Sequence, residues 1–258
     1  MTRIDVYLTQ NGFSKSRESA RRSIEAGLVT LDGAIIKKAS FRIDETLAHD
    51  VECTDALPYV GRGGLKLEAA LDAFGIDPSG KICADIGAST GGFTDCLLKR
   101  GAIKVFAIDS GRDQLDNNLR QDPRVVSLEG VNARFLNTDI VPDPADIIVM
   151  DVSFISQTLI IPRLAQIFAE NGVFITLVKP QFECGREAIG KGGVVKQPRY
   201  RLSAVRRVTA ACFENGLYLS NLIRSPIVGG DGNVEFLALY TKQDNVLQEK
   251  IISGVDYN

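Results

Sequence analysis

From residue 65 onward, short apolar runs alternate with helix-like stretches, and few folds accommodate that order. The runs lie at 82–86, 105–109, 125–128, 147–151, 174–179, 218–223 and 235–241. Between and before them, apolar spacing predicts helices at 65–74, 93–100, 114–120, 156–170 and 198–215, with Gly101, Gly172 and Gly216 as stop signals. Strands alternating with helices require a largely parallel sheet covered on both faces, an α/β architecture.

That architecture gives meaning to four ionisable residues. Asp151 ends the run Ile147-Ile148-Val149-Met150, and Lys179 ends Phe174 to Val178, with Pro180 biasing it toward extended backbone. Ligands of open parallel sheets bind at the carboxyl ends of strands, so the two belong to one cleft. Glu235 opens the last strand; if that strand runs antiparallel, its start lies on the same face. Lys66 sits at the start of the helix ahead of the first strand. The plainer reading is four unrelated surface charges.

Residues 1 to about 52 read as a separate small α+β unit. A short helix at 4–11 precedes a second at 16–26, which Ser14 or Ser16 can cap and Gly27 stops. Leu28 to Leu31, the turn Asp32-Gly33 and Ala34-Ile35-Ile36 then give a strong hairpin signal. The stretch 53–64, with Pro58, Gly61, Gly63 and Gly64, is the expected linker, and the boundary falls near 58, dividing the chain into 1–58 and 59–258. Charge is uneven along the chain. Residues 1–42 carry eight basic side chains against four acidic ones, although the 258-residue chain has net charge −2. A basic module on an acidic body fits a nucleic-acid partner. Arg17 and Arg21, four apart on one helix face, and the cations near Lys37 mark its candidate surface; a solvated helix face is the bland alternative.

Other classes are disfavoured. Five cysteines form no C-x-x-C pair and fit free thiols in a reducing cytosol. No secretory signal or bilayer-length apolar run is visible, and a single histidine, His49, makes a metal site improbable.

Two further motifs point to a cofactor. In Ala84-Asp85-Ile86-Gly87-Ala88-Ser89-Thr90-Gly91-Gly92-Phe93 a strand enters a Gly-rich turn and then a helix, which lets backbone approach a ligand. Asp109, ending the next strand, can bind a ribose diol or merely cap the turn at Gly111. Asn132 can read an adenine edge or serve as an ordinary turn residue. The Gly- and Lys/Arg-containing segment 183–193 is either a phosphate clamp or a disordered lid.

These stretches resemble a known family. Arg3-Ile4-Asp5, Ser14-Lys15-Ser16-Arg17 and Gly27-Leu28-Val29-Thr30-Leu31-Asp32-Gly33 are similar to S4 RNA-binding domains. Gly61-Arg62-Gly63-Gly64-Leu65-Lys66-Leu67, Asp85 to Asp95, Lys179-Pro180-Gln181-Phe182-Glu183, Gly190 to Val194 and Gly232-Asn233-Val234-Glu235-Phe236 resemble the TlyA family. These are ribosomal-RNA 2′-O-methyltransferases, often labelled hemolysins, on an FtsJ-like, Rossmann-like sheet that is mostly parallel with its last strand antiparallel. The resemblance implies S-adenosyl-L-methionine as cofactor, held by Asp85, Gly87, Ser89, Gly91, Gly92, Asp109 and Asn132. It implies a catalytic tetrad of Lys66, Asp151, Lys179 and Glu235, and RNA contacts at Arg3, Lys15, Arg17, Arg21, Lys37 and Arg62. The implied substrate is cytidine ribose of ribosomal RNA, in 23S alone or in both 23S and 16S; the short stretch before Arg3 leans toward the large subunit. Lys179 is then the expected base or activator of the ribose 2′-oxygen. A membrane-acting cytolysin and a non-catalytic ribosome-assembly protein are the rival readings.

Overall fold

The computed structural model describes residues 1–14, 17–25, 27–53, 58–230, 232–244 and 247–258. Lys15 and Ser16, expected as an RNA contact and a helix cap, lie outside them. Contacts divide the chain into two compact units, Met1–Leu65 and Lys66–Asn258.

In the first unit β1 (Thr2–Arg3) leads into α1 (Ile4–Gln10), followed by α2 (Arg17–Glu25). Ile4 and Leu8 on α1 and Ala20 and Ile24 on α2 recur at four-residue spacing, so each helix buries one stripe. Gly27 follows α2 at φ 72°, as its role as a stop requires. β2 (Val29–Leu31) and β3 (Ala34–Ile35) form the expected hairpin. Asp32 and Gly33 have φ 51° and 79°, both positive, as the two-residue turn matched to strand twist demands. β4 (Arg42–Ile43) pairs with β1, and β5 (Val51–Cys53) with β2. Val29, Leu31, Ile36 and Ile43 complete the core with the helix stripes.

The second unit is a seven-stranded sheet preceded by α3 (Gly63–Phe74). Its elements run β6 (Ile82–Ile86), α4 (Gly92–Lys99), β7 (Lys104–Asp109), α5 (Asn117–Gln121), β8 (Val125–Glu129), β9 (Ala145–Met150), α6 (Ile161–Leu164), β10 (Phe168–Val178), α7 (Pro180–Glu183), α8 (Pro198–Glu214), β11 (Tyr218–Arg224), β12 (Phe236–Thr241) and α9 (Gln248–Ser253). The strand order is β11-β12-β10-β9-β6-β7-β8. Pairings from β8 through β10 are parallel, whereas β12 runs antiparallel to both β10 and β11. The start of β12 therefore shares an edge with the ends of β9 and β10, as the placement of Glu235 requires. Ile86, Ile148, Met150, Phe174 and Phe236 lie among the fully buried residues, which explains the unbroken apolar runs.

Two local expectations fail for identifiable reasons. The helix over 156–170 is replaced by a 3₁₀ turn at Gln157–Leu159, the single turn of α6, and an early start to β10. Phe168 pairs with Ala145, and a register shift carries the strand to Val173, so Gly172 lies inside a strand and stops no helix. The helix expected from 114 begins at Asn117, because the Asp116 side chain caps it through Asn118 N; Gln114 N and Leu115 N donate instead to Glu129. No helix among the described residues is long and apolar enough to cross a membrane.

Candidate active site

Strand ends and a helix start assemble the four ionisable residues into two ion pairs. Lys179 follows β10 with extended backbone (φ −105°, ψ 103°), as the residue before a proline should. Its Nζ lies 2.6 Å from Asp151 Oδ1 and donates to Ser153 Oγ at 2.8 Å. Lys66, in the first turn of α3, reaches Glu235 Oε2 at 2.5 Å, with both side chains buried. Val178 and Phe236 are partners across β10 and β12, so one step further along each strand Lys179 and Glu235 stand opposite each other. Buried charges persist only when paired, and each carboxylate here has its own ammonium. The sequence had supplied these four positions without the pairing.

Asp151 also lines a cleft of about 380 Å³ at the carboxyl ends of β6, β7 and β9. Gly87, Ser89, Asp109, Asn132, Ser153, Phe154 and Ile155 share the lining. Gly87 has φ 87°, and a Cβ there would overlap the Asp151 carbonyl oxygen. Only glycine lets the loop close against the end of β9. Asp109 anchors the loop by accepting from Ser89 N at 2.8 Å and from Gly111 N at 2.7 Å. The turn-capping reading of Asp109 is thus part of the truth, yet a carboxylate has acceptor sites beyond these two, and the residue remains part of the cleft wall. Asn132 likewise caps a 3₁₀ turn, its Oδ1 accepting from Arg134 N, while lining the cleft.

Asp85, Gly91 and Gly92 lie outside the lining. A Cβ on Gly91 (φ 95°) would overlap Leu115 and Leu119, so this glycine serves packing behind the loop. Asp85 is fully buried. Burial pushes its carboxyl up to about 7 against the pull of a 2.7 Å hydrogen bond from Thr94, and Oδ1 has no protein partner. A buried acceptor without a partner beneath a glycine turn, beside the Asp109 carboxylate in the cleft wall, fits a cofactor that brings hydrogen-bond donors.

Residue-by-residue reading missed three features. Ser153 is the second partner of the Lys179 ammonium. Phe154, with φ 63° and 93% exposure, holds an aromatic ring at the cleft rim, 5.2 Å from the Phe182 ring. The available signal was an apolar pair, Phe154-Ile155, set between Ser153 and Ser156 just after a strand end. Asn233 is fully buried. It accepts from Val195 N at 2.9 Å and donates to Gly193 O at 3.0 Å, tying the glycine segment to the approach to β12. That segment is a pair of ordered 3₁₀ turns, Arg186–Ala188 and Lys191–Gly193.

In the first unit the expected RNA-binding cations have mixed settings. Arg3 and Arg17 donate to the buried Asp5, and Arg21 pairs with Glu25 one turn along α2. Burial pushes the Asp5 carboxyl up, but the Arg3 and Arg17 hydrogen bonds outweigh it and hold it below its ordinary value. Lys37 and Arg62 are exposed.

The FtsJ-like methyltransferase family matches residues 59–242, and the S4 domain family matches residues 2–47. The 16S/23S rRNA (cytidine-2′-O)-methyltransferase TlyA of Mycobacterium tuberculosis is 42% identical, across 96% of this chain and 93% of its own length. The chain belongs to the TlyA family. Another relative, hemolysin A of Brachyspira hyodysenteriae, is 42% identical across 92% of this chain and 98% of its own. A solved structure described as a hemolysin from Streptococcus thermophilus superposes with TM-score 0.76 at 41% identity, covering 98% of this chain and 94% of that one. The family thus carries an S4 unit and an FtsJ-like methyltransferase unit, and S-adenosylmethionine is the cofactor that such a unit implies.

Proposed function

We propose that this protein methylates the 2′-oxygen of cytidine ribose in ribosomal RNA, with residues 1–58 as RNA-binding unit and 59–258 as methyltransferase unit, acting in the cytoplasm. The observation that carries this reading is the pair of ion pairs, Lys179–Asp151 and Lys66–Glu235, at the strand ends beside the cleft. S-adenosylmethionine, when bound, supplies an electrophilic sulfonium methyl. Gly87, Ser89, Asp109 and Asn132 would hold its nucleoside part, and Asp85, from below the loop, would act on its amine. The chain's own task is the acceptor. A ribose hydroxyl is a weak nucleophile that must lose its proton as it attacks, and a neutral amine is a base able to take it. Once the Lys179 ammonium has given a proton to solvent, its neutral Nζ receives the ribose proton, Asp151 orients the amine and balances the resulting charge, and Lys66–Glu235 fixes the electrostatics beside it. The remaining catalysis is positioning of the acceptor oxygen. The exposed Phe154 ring offers a flat apolar surface against which a base can stack.

The test uses the full-length protein, methyl-labelled cofactor, and separate small and large ribosomal subunits from cells lacking the gene. Label should enter 2′-O-methylcytidine of 23S RNA, and mass mapping decides whether 16S RNA is a second target. A Lys179→Ala variant serves as the blank, and leakage from lipid vesicles is the control for lytic activity. Absence of label from both subunits would overturn the reading.

A further inference from the structure

Around Lys179 lie buried polar side chains that neither touch the cleft nor belong to the two ion pairs. Gln157, Thr176 and Glu183 are respectively 1%, 0% and 2% exposed. Gln157 Nε2 donates to Leu177 O at 2.7 Å, and its Oε1 accepts from Thr176 Oγ1 at 2.8 Å. Leu177 and Thr176 are the second and third residues before Lys179. Glu183, four residues after Lys179, accepts from Gln157 N at 2.8 Å and from Ser156 Oγ at 2.6 Å. One short segment, Ser156-Gln157, therefore grips the chain on both sides of Lys179. The same loop begins at Asp151 and Ser153, the two partners of the Lys179 ammonium.

A purely structural role explains this poorly. An apolar side chain in the place of Gln157 or Glu183 would fill the volume without desolvating an amide and a carboxylate. Burial pushes the Glu183 carboxyl up against the hydrogen bonds from Ser156 and Gln157, a desolvation cost that an apolar residue would not carry. A satisfied polar network does what apolar packing does not: it fixes one geometry.

We propose that Gln157, Thr176 and Glu183 form a positioning belt that locks the backbone around Lys179 to the Asp151–Ser156 loop and so fixes the distance between Lys179 Nζ and Asp151. These are positioning residues, acting through Lys179. Their catalytic consequence rests on the methyltransfer reading above; the geometric claim does not.

The test has two arms on full-length protein, with Glu183→Ala, Gln157→Leu and the conservative Glu183→Gln, each confirmed as folded by circular dichroism. In the first, acetic anhydride labels lysines and mass spectrometry compares Lys179 with Lys66, which sits in the other ion pair. Losing the belt should speed Lys179 labelling about tenfold relative to Lys66, within the range by which coupled polar contacts usually act. Glu183→Gln should stay near wild type, since its amide oxygen still accepts from Gln157 N and its amide group can donate to Ser156 Oγ. In the second arm, Glu183→Ala and Gln157→Leu should lower kcat for methyl transfer by about 10²-fold, the effect of misplacing a reacting group. KM and cofactor affinity should hold, and Glu183→Gln should rescue. Folded variants whose Lys179 labels at the wild-type rate would overturn the belt, whatever their melting temperatures. A wild-type enzyme without methyl transfer would overturn the functional reading instead, and the labelling arm would still decide the belt.

Discussion

Lys179 and Asp85 are both ionisable residues near the cleft, and they lead to different measurements. If Lys179 accepts the ribose proton, Lys179→Ala should lower single-turnover methyl transfer by roughly 10²–10⁴, the usual loss for an acid–base group. Cofactor affinity should be nearly unchanged, because the amine faces Asp151 and Ser153 and not the glycine turn. Lys179→Arg should fail almost as badly, since guanidinium stays charged and takes no proton. A Lys179→Arg enzyme at the wild-type rate would reduce the residue to a positive clamp. Asp85 makes a statement about stability. Its carboxyl ionises near 7 in the fold, against the ordinary 3.8 when exposed. The unfolded chain therefore releases this proton first as pH rises. The contribution of Asp85 is fully present below pH 4 and is lost as pH climbs through about 7. Asp85→Asn should raise the melting temperature most at pH 8, by on the order of a few kcal/mol of stability, and least at pH 4. Thermal melts across that range check the sign; a gain that grows toward acid would contradict it.

The glycine turn between β6 and α4 sorts its own residues by what lies behind each one. Gly87→Ala drives a methyl into the Asp151 carbonyl oxygen and should weaken cofactor binding, because the loop must leave the cleft wall. Gly91→Ala meets Leu115 and Leu119 instead, so it should lower the melting temperature while costing the folded protein less affinity. Calorimetry beside thermal melts separates the two; the reverse ranking would show that Gly91, not Gly87, faces the ligand. Spacing along the chain marked this turn as glycine-dependent but could not say which glycine faced what, because Leu115 and Leu119 belong to another element. The same limit applies across the fold. Every strand of the sheet was legible as an apolar run: β6, β7, β9, β12 and the end of β10 because they are largely buried, the edge strands β8 and β11 although they are only half-buried. The stretch from 157 to 170 was not, because apolar residues there suit a helix and a bulged strand equally until Phe168 finds Ala145. The positions of Asp151 and Lys179 were legible from strand ends, that of Glu235 from a strand start and that of Lys66 from a helix start. Ser153, Gln157 and Glu183 were not, since their meaning lies in hydrogen bonds between residues about twenty or more apart in sequence.

At the level of the whole chain, the basic side chains of the first unit concentrate in residues 1–42, eight against four acidic ones, and RNA contacts made there should be recognisable by their response to salt. Phosphate contacts release counterions, so the logarithm of RNA affinity falls linearly with the logarithm of salt, with a slope set by the number of contacts. The cations to reverse are chosen by their partners. Arg3 and Arg17 hold the buried Asp5, and replacing either by glutamate would set a second carboxylate against it and endanger the fold. Arg21 shares only a loose 3.8 Å pair with the exposed Glu25, and Lys37 is exposed. The double variant Arg21→Glu, Lys37→Glu should therefore leave the unit folded and cofactor affinity untouched. RNA affinity should fall, and the steepness of its salt dependence should drop by about 1–2, one step for each lost phosphate contact. Filter binding to ribosomal RNA over a salt series measures both. An unchanged slope with unchanged affinity would mean that this face of the S4 unit does not touch the RNA backbone, and the RNA-binding assignment would then have to rest on other cations.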